Sequence, residues 1–515
     1  MLGSEKLNIC LMNDSFPPVI DGVATAVINY ANIINEHFGK ATVVTPLYPG
    51  VTDDYSFEVV RYRSMPITVK LCGYRMGYPF SSSALDKLVT DEFDIIHSHC
   101  PFASTMMARV LREKTNIPIV MTYHTKFDID IRRDIKNETL ANQVIKIIAE
   151  NISACDEVWT VSRGAGENLR SLGYEGDYVV MENGVDFPKG RADREDASEL
   201  RKYYGIPEDT FLFLFVGRMV WYKGIKLILD SLKRIDGKGL KFNMMFVGDG
   251  LDKDEIEDYA EELGLADKCI FTGAVSDRDD LRVHYTAGEL FIFPSEYDTN
   301  GIVVREAAAC GVASMLIKGS CASEGIVDGY TGILTDAEPE AIAKNLEFAI
   351  ANRSKIHEIG ENAMNEVYVS WEDSVNHAYD RYFAVRERCM SGRSQRRENF
   401  LANSLFKTVD ELTSAVQQVR RLPVSIRVTG RKVKKAWSKQ LKRISPALKP
   451  RSLSLPEGFT DEDIRIESSI CTGETTIGFF NRTENKLMFA ELVESEADID
   501  RFYKRYGIKP PLGGR

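Results

Sequence analysis

The sequence predicts an α/β protein made of two doubly wound domains that face each other across a cleft, followed by a C-terminal extension. Three observations carry this expectation. Short apolar runs alternate with amphipathic helical stretches through about the first 370 residues, the pattern of parallel sheets covered by helices. A polar, charged stretch, Lys189–Glu199, interrupts the alternation, which then restarts. Finally, 515 residues are too many for one core, and the composition changes abruptly after Arg386.

Taken in order, the strands expected in the first half are Leu7–Met12, Ala41–Thr45, Phe57–Tyr62, Asp94–Ser98, Pro118–Tyr123, Glu157–Val161 and Tyr178–Met181. Those of the second half are Phe211–Val216, Phe242–Val247, Lys268–Phe271, Leu290–Phe293 and Val312–Leu316. Runs this apolar suit strands buried on both faces, so both halves read as Rossmann-like sheets. A last helix starts near Ser370-Trp371-Glu372, and a hairpin follows far downstream at Thr475–Asn481 and Lys486–Leu492. The domains expected are therefore 1–190, a second Rossmann-like domain 191–370, a basic amphipathic segment 389–452 and a small acidic tail 453–515.

Composition narrows the function. No stretch reaches the roughly 18 uninterrupted apolar residues of a membrane span. Leu7–Met12 passes straight into Asn13-Asp14 with no small-residue cleavage site, so no signal peptide is expected. The nine cysteines are scattered without a C-x-x-C pair, as in a cytoplasmic protein with reduced thiols. The formal net charge is −11, yet residues 384–451 hold 18 Lys and Arg against 4 Asp and Glu. An acidic body with one basic segment argues against specific nucleic-acid binding and for a local anionic partner.

The strongest chemical signal is Gly217-Arg218, four further residues, then Lys223-Gly224, at the end of the second domain's first strand. Ligands of open α/β sheets bind at that edge, where a helix N-terminus favours phosphate. Arg can clamp a diphosphate in bidentate fashion and Lys adds a point charge. Gly248-Asp249-Gly250 repeats the design after the next strand: glycine lets the backbone approach a ligand, and Asp249 can accept from hydroxyls. A second constellation, Pro294 to Ala307, separates Asp298 and Glu306 by seven residues. Asp298 falls in the loop after a strand and Glu306 in the first turns of the next helix, so both can face one crevice beside the amides of Asn300–Val303. His97 and His99, two apart on a strand end, share a face and read as satisfied cleft-floor histidines, with a metal pair as the alternative. No acidic cluster suggests a metal.

These stretches, together with Asn183-Gly184-Val185-Asp186 at the domain junction and Glu306-Ala307-Ala308-Ala309-Cys310-Gly311, resemble retaining glycosyltransferases of family 4, which have the GT-B fold. The resemblance continues through Asn13–Val23, Asp94–Pro101 and Thr122–Thr125 and covers about residues 6–388. It implies that Arg218 and Lys223 bind the donor diphosphate and that Glu306 takes the ribose hydroxyls. Asp298 and the amides of Asn300, Gly301 and Ile302 would hold the transferred hexose. Gly22 would pass close to the phosphates, with Gly217, Gly248, Asp249 and Thr299 completing the donor site. His124 would face the reacting centre, and the helix 371–388 would cross back onto the first domain. The sequence departs from the family where the first acid, normally Glu, is Asp298, and where Gly-Phe-Gly is Thr299-Asn300-Gly301.

The function expected is retaining transfer of a hexose from a nucleotide diphosphate donor, a UDP-sugar or GDP-mannose, with no metal or other cofactor. The basic segment 393–451 points to an anionic membrane surface, a peripheral position on its inner face and a lipid-linked acceptor. Two other classes compete: a nucleotide-sugar epimerase of the same architecture, and a non-catalytic sugar-nucleotide-binding scaffold.

Overall fold

The computed structural model describes residues 6–19, 21–66, 74–135, 137–394, 396, 455, 459–468, 475–482, 486–493, 499, 502, 503, 506 and 508. The chain divides into two compact units, Met1–Gln417 and Gln418–Arg515. Apart from Arg393, Ser394 and Arg396, the basic segment 393–451 lies outside the described residues.

The first unit opens with β1 (Asn8–Met12), β2 (Lys40–Pro46), β3 (Glu58–Tyr62), β4 (Ser64–Pro66), β5 (Arg75–Gly77), β6 (Ile95–Ser98), β7 (Ile119–Tyr123), β8 (Glu157–Thr160) and β9 (Tyr178–Val180). Between them lie α1 (Gly22–Ile33), α2 (Ser82–Thr90), α3 (Ala103–Thr115), α4 (Phe127–Asp134), α5 (Glu138–Ser153) and α6 (Arg163–Ser171). Seven strands form one parallel sheet, ordered β3-β2-β1-β6-β7-β8-β9, while β4 and β5 pair as a separate antiparallel ribbon that the sequence did not announce. In β1, Cys10 lies between Thr42 and Ile96. Cys10 and Met12 enter the core on one face of the sheet, and Ile9 and Leu11 enter the core on the other. Burial on both sides is why the strand is apolar throughout instead of alternating.

A second parallel sheet follows. Its elements are α7 (Arg194–Tyr203), β10 (Phe211–Val216), α8 (Ile225–Asp236), β11 (Phe242–Val247), α9 (Lys253–Glu262), β12 (Cys269–Gly273), α10 (Arg278–Ala287), β13 (Leu290–Phe293), α11 (Ile302–Ala309), β14 (Ala313–Ile317), β15 (Ile333–Thr335), α12 (Pro339–Ala351) and α13 (Arg353–Glu366). The strand order is β12-β11-β10-β13-β14-β15. In each sheet the order reverses beside the first strand, at β1/β6 and at β10/β13, which opens a crevice at the C-terminal strand ends. The stretch Lys189–Glu199 is a linker only in part. Asp193 Oδ1 accepts from Glu195 N at 2.8 Å and starts α7, whose Ala197 is buried in the second core.

The final helix of this unit, α14 (Trp371–Met390), starts at Ser370, whose side chain caps Asp373 N. It packs on the first sheet, not the second. Val375, Ala378, Tyr379, Tyr382 and Val385 join Leu7, Ile9, Leu11, Ile95 and Trp159 in one core. Tyr379 Oη accepts from Leu7 N at 2.7 Å, and Tyr382 stacks on Trp159 at 5.4 Å between ring centres. Burial pushes the Glu157 carboxyl up, but hydrogen bonds from Arg381, Trp159 and Arg388 outweigh it and leave its pKa below the usual range. The chain thus crosses between domains twice, and Val185 bridges to Ser370 where the crossings meet.

The second unit holds an antiparallel sheet ordered β16 (Ile464–Ser468), β17 (Thr475–Asn481) and β18 (Lys486–Leu492). The last two are the expected hairpin; β16 adds a third strand to it. Phe479 is buried with Phe502 and Tyr503. Among the described residues no helix is long and apolar enough to cross a membrane.

Candidate active site

On the second domain, the loops after β10, β11 and β13 converge because glycines let their backbones touch. Gly248 has φ +145°, and a Cβ there would lie 1.9 Å from Gly217 O; one on Gly250 would lie 2.4 Å from Met219 O. Gly224, at φ +81°, leads into α8, and a Cβ would meet Pro294 O at 2.3 Å. Arg218 and Lys223 stand on the loop between β10 and α8, and the Arg218 Cζ and the Lys223 Nζ each lie 6.0 Å from the centre of the Tyr222 ring. Arg218 is exposed and donates from Nη2 to Tyr222 Oη at 2.7 Å. Lys223 Nζ sits 2.8 and 2.6 Å from the two carboxylate oxygens of Asp298. The two residues expected to meet different parts of a donor are thus joined as an ion pair, and an ammonium with three N–H donors can still offer a hydrogen bond to a phosphate. Asp249 is exposed and accepts from Gly250 N at 2.8 Å.

The first-domain wall is the C-terminal edge of β1, β6, β7 and β8. Asp21 caps α1, accepting from Val23 N and Ala24 N at 3.0 and 2.8 Å and from Tyr74 Oη at 2.9 Å. Beside it, a Cβ on Gly22 would meet no atom of the described residues within 4 Å. Burial and Asp21 raise the Tyr74 pKa, and the Arg218 charge from the other domain partly offsets this, so the two walls feel each other. His97 is spent on structure, with Tyr382 Oη at 2.6 Å on Nδ1 and Thr122 Oγ1 at 2.7 Å on Nε2. His99 Nδ1 lies 3.0 Å from His124 Nε2, and their rings stack. Among the described residues no three His, Cys, Asp or Glu side chains gather as a metal site would require.

The walls meet at the loop Asp298–Gly301. Thr299 Oγ1 donates to His124 O at 2.7 Å, and Ser162 donates its hydroxyl proton to Thr299 O. Asn300 is buried, and neither polar atom of its carboxamide has a hydrogen-bond partner among the described residues. Gly301, at φ +58°, turns the chain into α11, with Ile302 as its first residue. One turn on, Glu306 accepts from Arg278 at 2.6 Å and from Tyr285 Oη at 2.8 Å. Burial raises the Glu306 pKa, and Arg278 opposes the rise.

The sequence matches two family descriptions, Glycosyltransferase Family 4 over residues 20–188 and Glycosyl transferases group 1 over residues 196–366, one for each sheet. The chain belongs to glycosyltransferase family 4. This transferase is 23% identical over 444 residues to the α-monoglucosyldiacylglycerol synthase of Streptococcus pneumoniae, an alignment covering 84% of this chain and 97% of that one. It is 26% identical over 376 residues to the sulfoquinovosyl transferase SQD2 of Arabidopsis thaliana, covering 70% of each. In fold it resembles Anabaena HepE, solved in complex with UDP and glucose, with a TM-score of 0.56 and 19% identity over 73% of this chain and 99% of HepE. The architecture is GT-B.

The structure of the transferase thus brings Arg218, Lys223, Asp298, Thr299, Asn300, Gly301, Ile302 and Glu306 to one sheet edge, with Gly217, Gly248 and Asp249 beside them. Gly22 and His124 belong to the opposite wall. Sequence reasoning missed Arg278 and Tyr285, which hold Glu306, and Ser162 and Asp21. Asp21 and Ser162 carried a local signal, a capping residue directly before a helix, though the Ser162 contact to Thr299 did not. The bonds of Arg278 and Tyr285 to Glu306 and of Ser162 to Thr299 span 21 to 137 positions of chain, which no local pattern reveals.

Burial pushes the His124 imidazole down to about 4, with Asp21 opposing, and drives His97 and His99 well below their ordinary value. All three are neutral at pH 7. The unfolded chain takes up each proton near pH 6.5, whereas folded His124 does so only near pH 4. Stability from the neutral rings is complete above about pH 6.5 and is lost as the pH falls toward 4. His124 alone accounts for roughly 3 kcal/mol across that window. Urea unfolding should show a midpoint that falls steeply from pH 6.5 to 4.5, with a shallower slope in His124→Asn. Equal slopes would show that His124 is not held neutral by the fold.

Proposed function

We propose that this glycosyltransferase moves a hexose from a UDP-sugar or GDP-mannose to a lipid-linked acceptor, with retention at the anomeric carbon. The observation that carries this is the placement of Arg218, Lys223 and the Asp298–Ile302 loop at one sheet edge, opposite His124. The diphosphate lies against Arg218 and Lys223, which stabilise the charge that develops on the leaving oxygen, so no divalent cation is required. The hexose lies along the amides of Asn300, Gly301 and Ile302 at the start of α11, where Asp298, steadied by Lys223, accepts from a sugar hydroxyl. Glu306 keeps lone pairs for the ribose beyond those used by Arg278 and Tyr285. The acceptor hydroxyl attacks from the face the diphosphate leaves, and its proton passes to the departing phosphate oxygen as the old C1–O bond breaks and the new one forms. Neutral His124 serves as a hydrogen-bonding partner at that centre and not as a nucleophile.

A lipid acceptor is supported by the basic amphipathic sequence 389–452, and by relatives whose names include a glucosyldiacylglycerol synthase. The test is a screen of radiolabelled UDP-hexoses and GDP-mannose with extracted lipids, in EDTA, partitioned between organic and aqueous phases. Label entering the organic phase is expected, with no epimer formed from donor alone. The full chain should also float with anionic liposomes at low salt and not at high salt. Label confined to the aqueous phase and no flotation would remove the lipid acceptor; epimerised donor would overturn transfer itself.

A further inference from the structure

Besides the covalent crossings near Val185 and Ser370, the two domains of the first unit touch beside the sugar loop, where Glu324 meets the start of α6. There the first turn of α6 needs acceptors for its free amides. Ser162 Oγ takes Ala165 N at 3.0 Å. The next two are taken from the other domain: Glu324 accepts from Arg163 N at 2.7 Å through one oxygen and from Gly164 N at 2.6 Å through the other. Glu324 follows the short turn Cys321–Ser323, which packs on the sugar loop, since a Cβ on Gly301 would lie 2.8 Å from that of Ala322. Gly164 is bare where the surfaces meet: a Cβ there would stand 2.5 Å from Cys321 Sγ and 3.0 Å from Glu324 Oε1. Ser162, which caps α6, also donates to Thr299 O, and Thr299 donates back to His124 O.

We infer that Glu324 is a positioning residue for transfer: by capping α6 across the cleft it latches the domains in the arrangement that sets the sugar loop against His124. The contact is suited to opening and closing. It is polar, it is confined to backbone amides and one carboxylate, and water replaces either partner when the domains part. A carboxylate at a helix N-terminus also favours the closed state electrostatically without touching substrate.

Amide exchange on the full-length protein tests the latch without reference to activity. Glu324→Ala should speed exchange at least tenfold in the first turn of α6 and also in the peptide spanning Asp298–Ile302, which lies on the other domain. Glu324→Gln, which keeps one accepting oxygen, should fall between. Gly164→Ala, whose methyl presses on Cys321 from the opposite side, should reproduce the effect with the carboxylate intact. If only the α6 amides respond, Glu324 is a local cap and the latch is wrong. The second readout rests on the transfer reading: kcat should fall tenfold or more in Glu324→Ala, while UDP binds within threefold of wild type. A kcat within twofold of wild type overturns the positioning role. Should wild type transfer from no donor, the transfer reading fails, and exchange still decides the latch.

Discussion

Arg218→Ala and Lys223→Ala should each lower turnover by about two to three orders of magnitude, the cost of removing one preorganised donor from a developing anion. Neither change should unfold the protein. Arg218 is exposed and rests on Tyr222, so its loss should shift stability by no more than about 0.5 kcal/mol. Lys223 is the more severe case. Its side chain is only 12% exposed and neutralises Asp298, so Lys223→Ala both removes a leaving-group cation and leaves a carboxylate where phosphate must approach. Adding Asp298→Asn to Lys223→Ala should therefore restore donor binding but not turnover. The measurement is kcat and donor KM by initial rates, beside urea unfolding. A variant that turns over within tenfold of wild type would mean that the diphosphate does not lie here.

The largest stability effect is expected at Tyr382. The side chain is fully buried, stacks on Trp159 and holds His97 Nδ1 at 2.6 Å. Tyr382→Ala opens a cavity the size of an aromatic ring and strands a buried imidazole nitrogen, at a cost of about 4 kcal/mol or more. That is a large part of the roughly 5–15 kcal/mol by which domains are stable. Tyr382→Phe removes only the hydroxyl and should cost about 1–2 kcal/mol. Urea unfolding followed by circular dichroism should show the first domain's transition moving to lower denaturant while the second domain's stays in place. Coincident shifts of both would mean that α14 does not belong energetically to the first sheet.

Much of this architecture was readable because parallel strands covered on both faces cannot hide. Phe211–Val216 is buried at every position and was read to the residue. Ile333–Thr335 escaped because three residues at a sheet edge carry no periodicity, and the ribbon of Ser64–Pro66 and Arg75–Gly77 for the same reason. The helix Arg194–Tyr203 was hidden inside a charged stretch because Ala197 is its only buried residue. In the site, Arg218 and Lys223 were legible because a glycine turn at a strand end constrains what can stand there. The Lys223–Asp298 pair was not, for its members are 75 residues apart and nothing in either neighbourhood selects the other.

The return of α14 to the first sheet has a consequence for how the protein is made. Leu7 N waits for Tyr379, which the ribosome adds 372 residues later. Until then the nascent chain carries a sheet whose face around Ile9, Leu11 and Trp159 is covered by α1 but not yet by α14. The second domain draws its core from residues 185 to 367, so it can fold as it emerges and finish before the domain that precedes it. At roughly 5–20 residues per second the first domain stays incomplete for on the order of ten seconds or more. Over that interval the apolar surface that α14 will cover is a binding site for chaperones, and synthesis halted before Tyr382 would release a chain bound for aggregation.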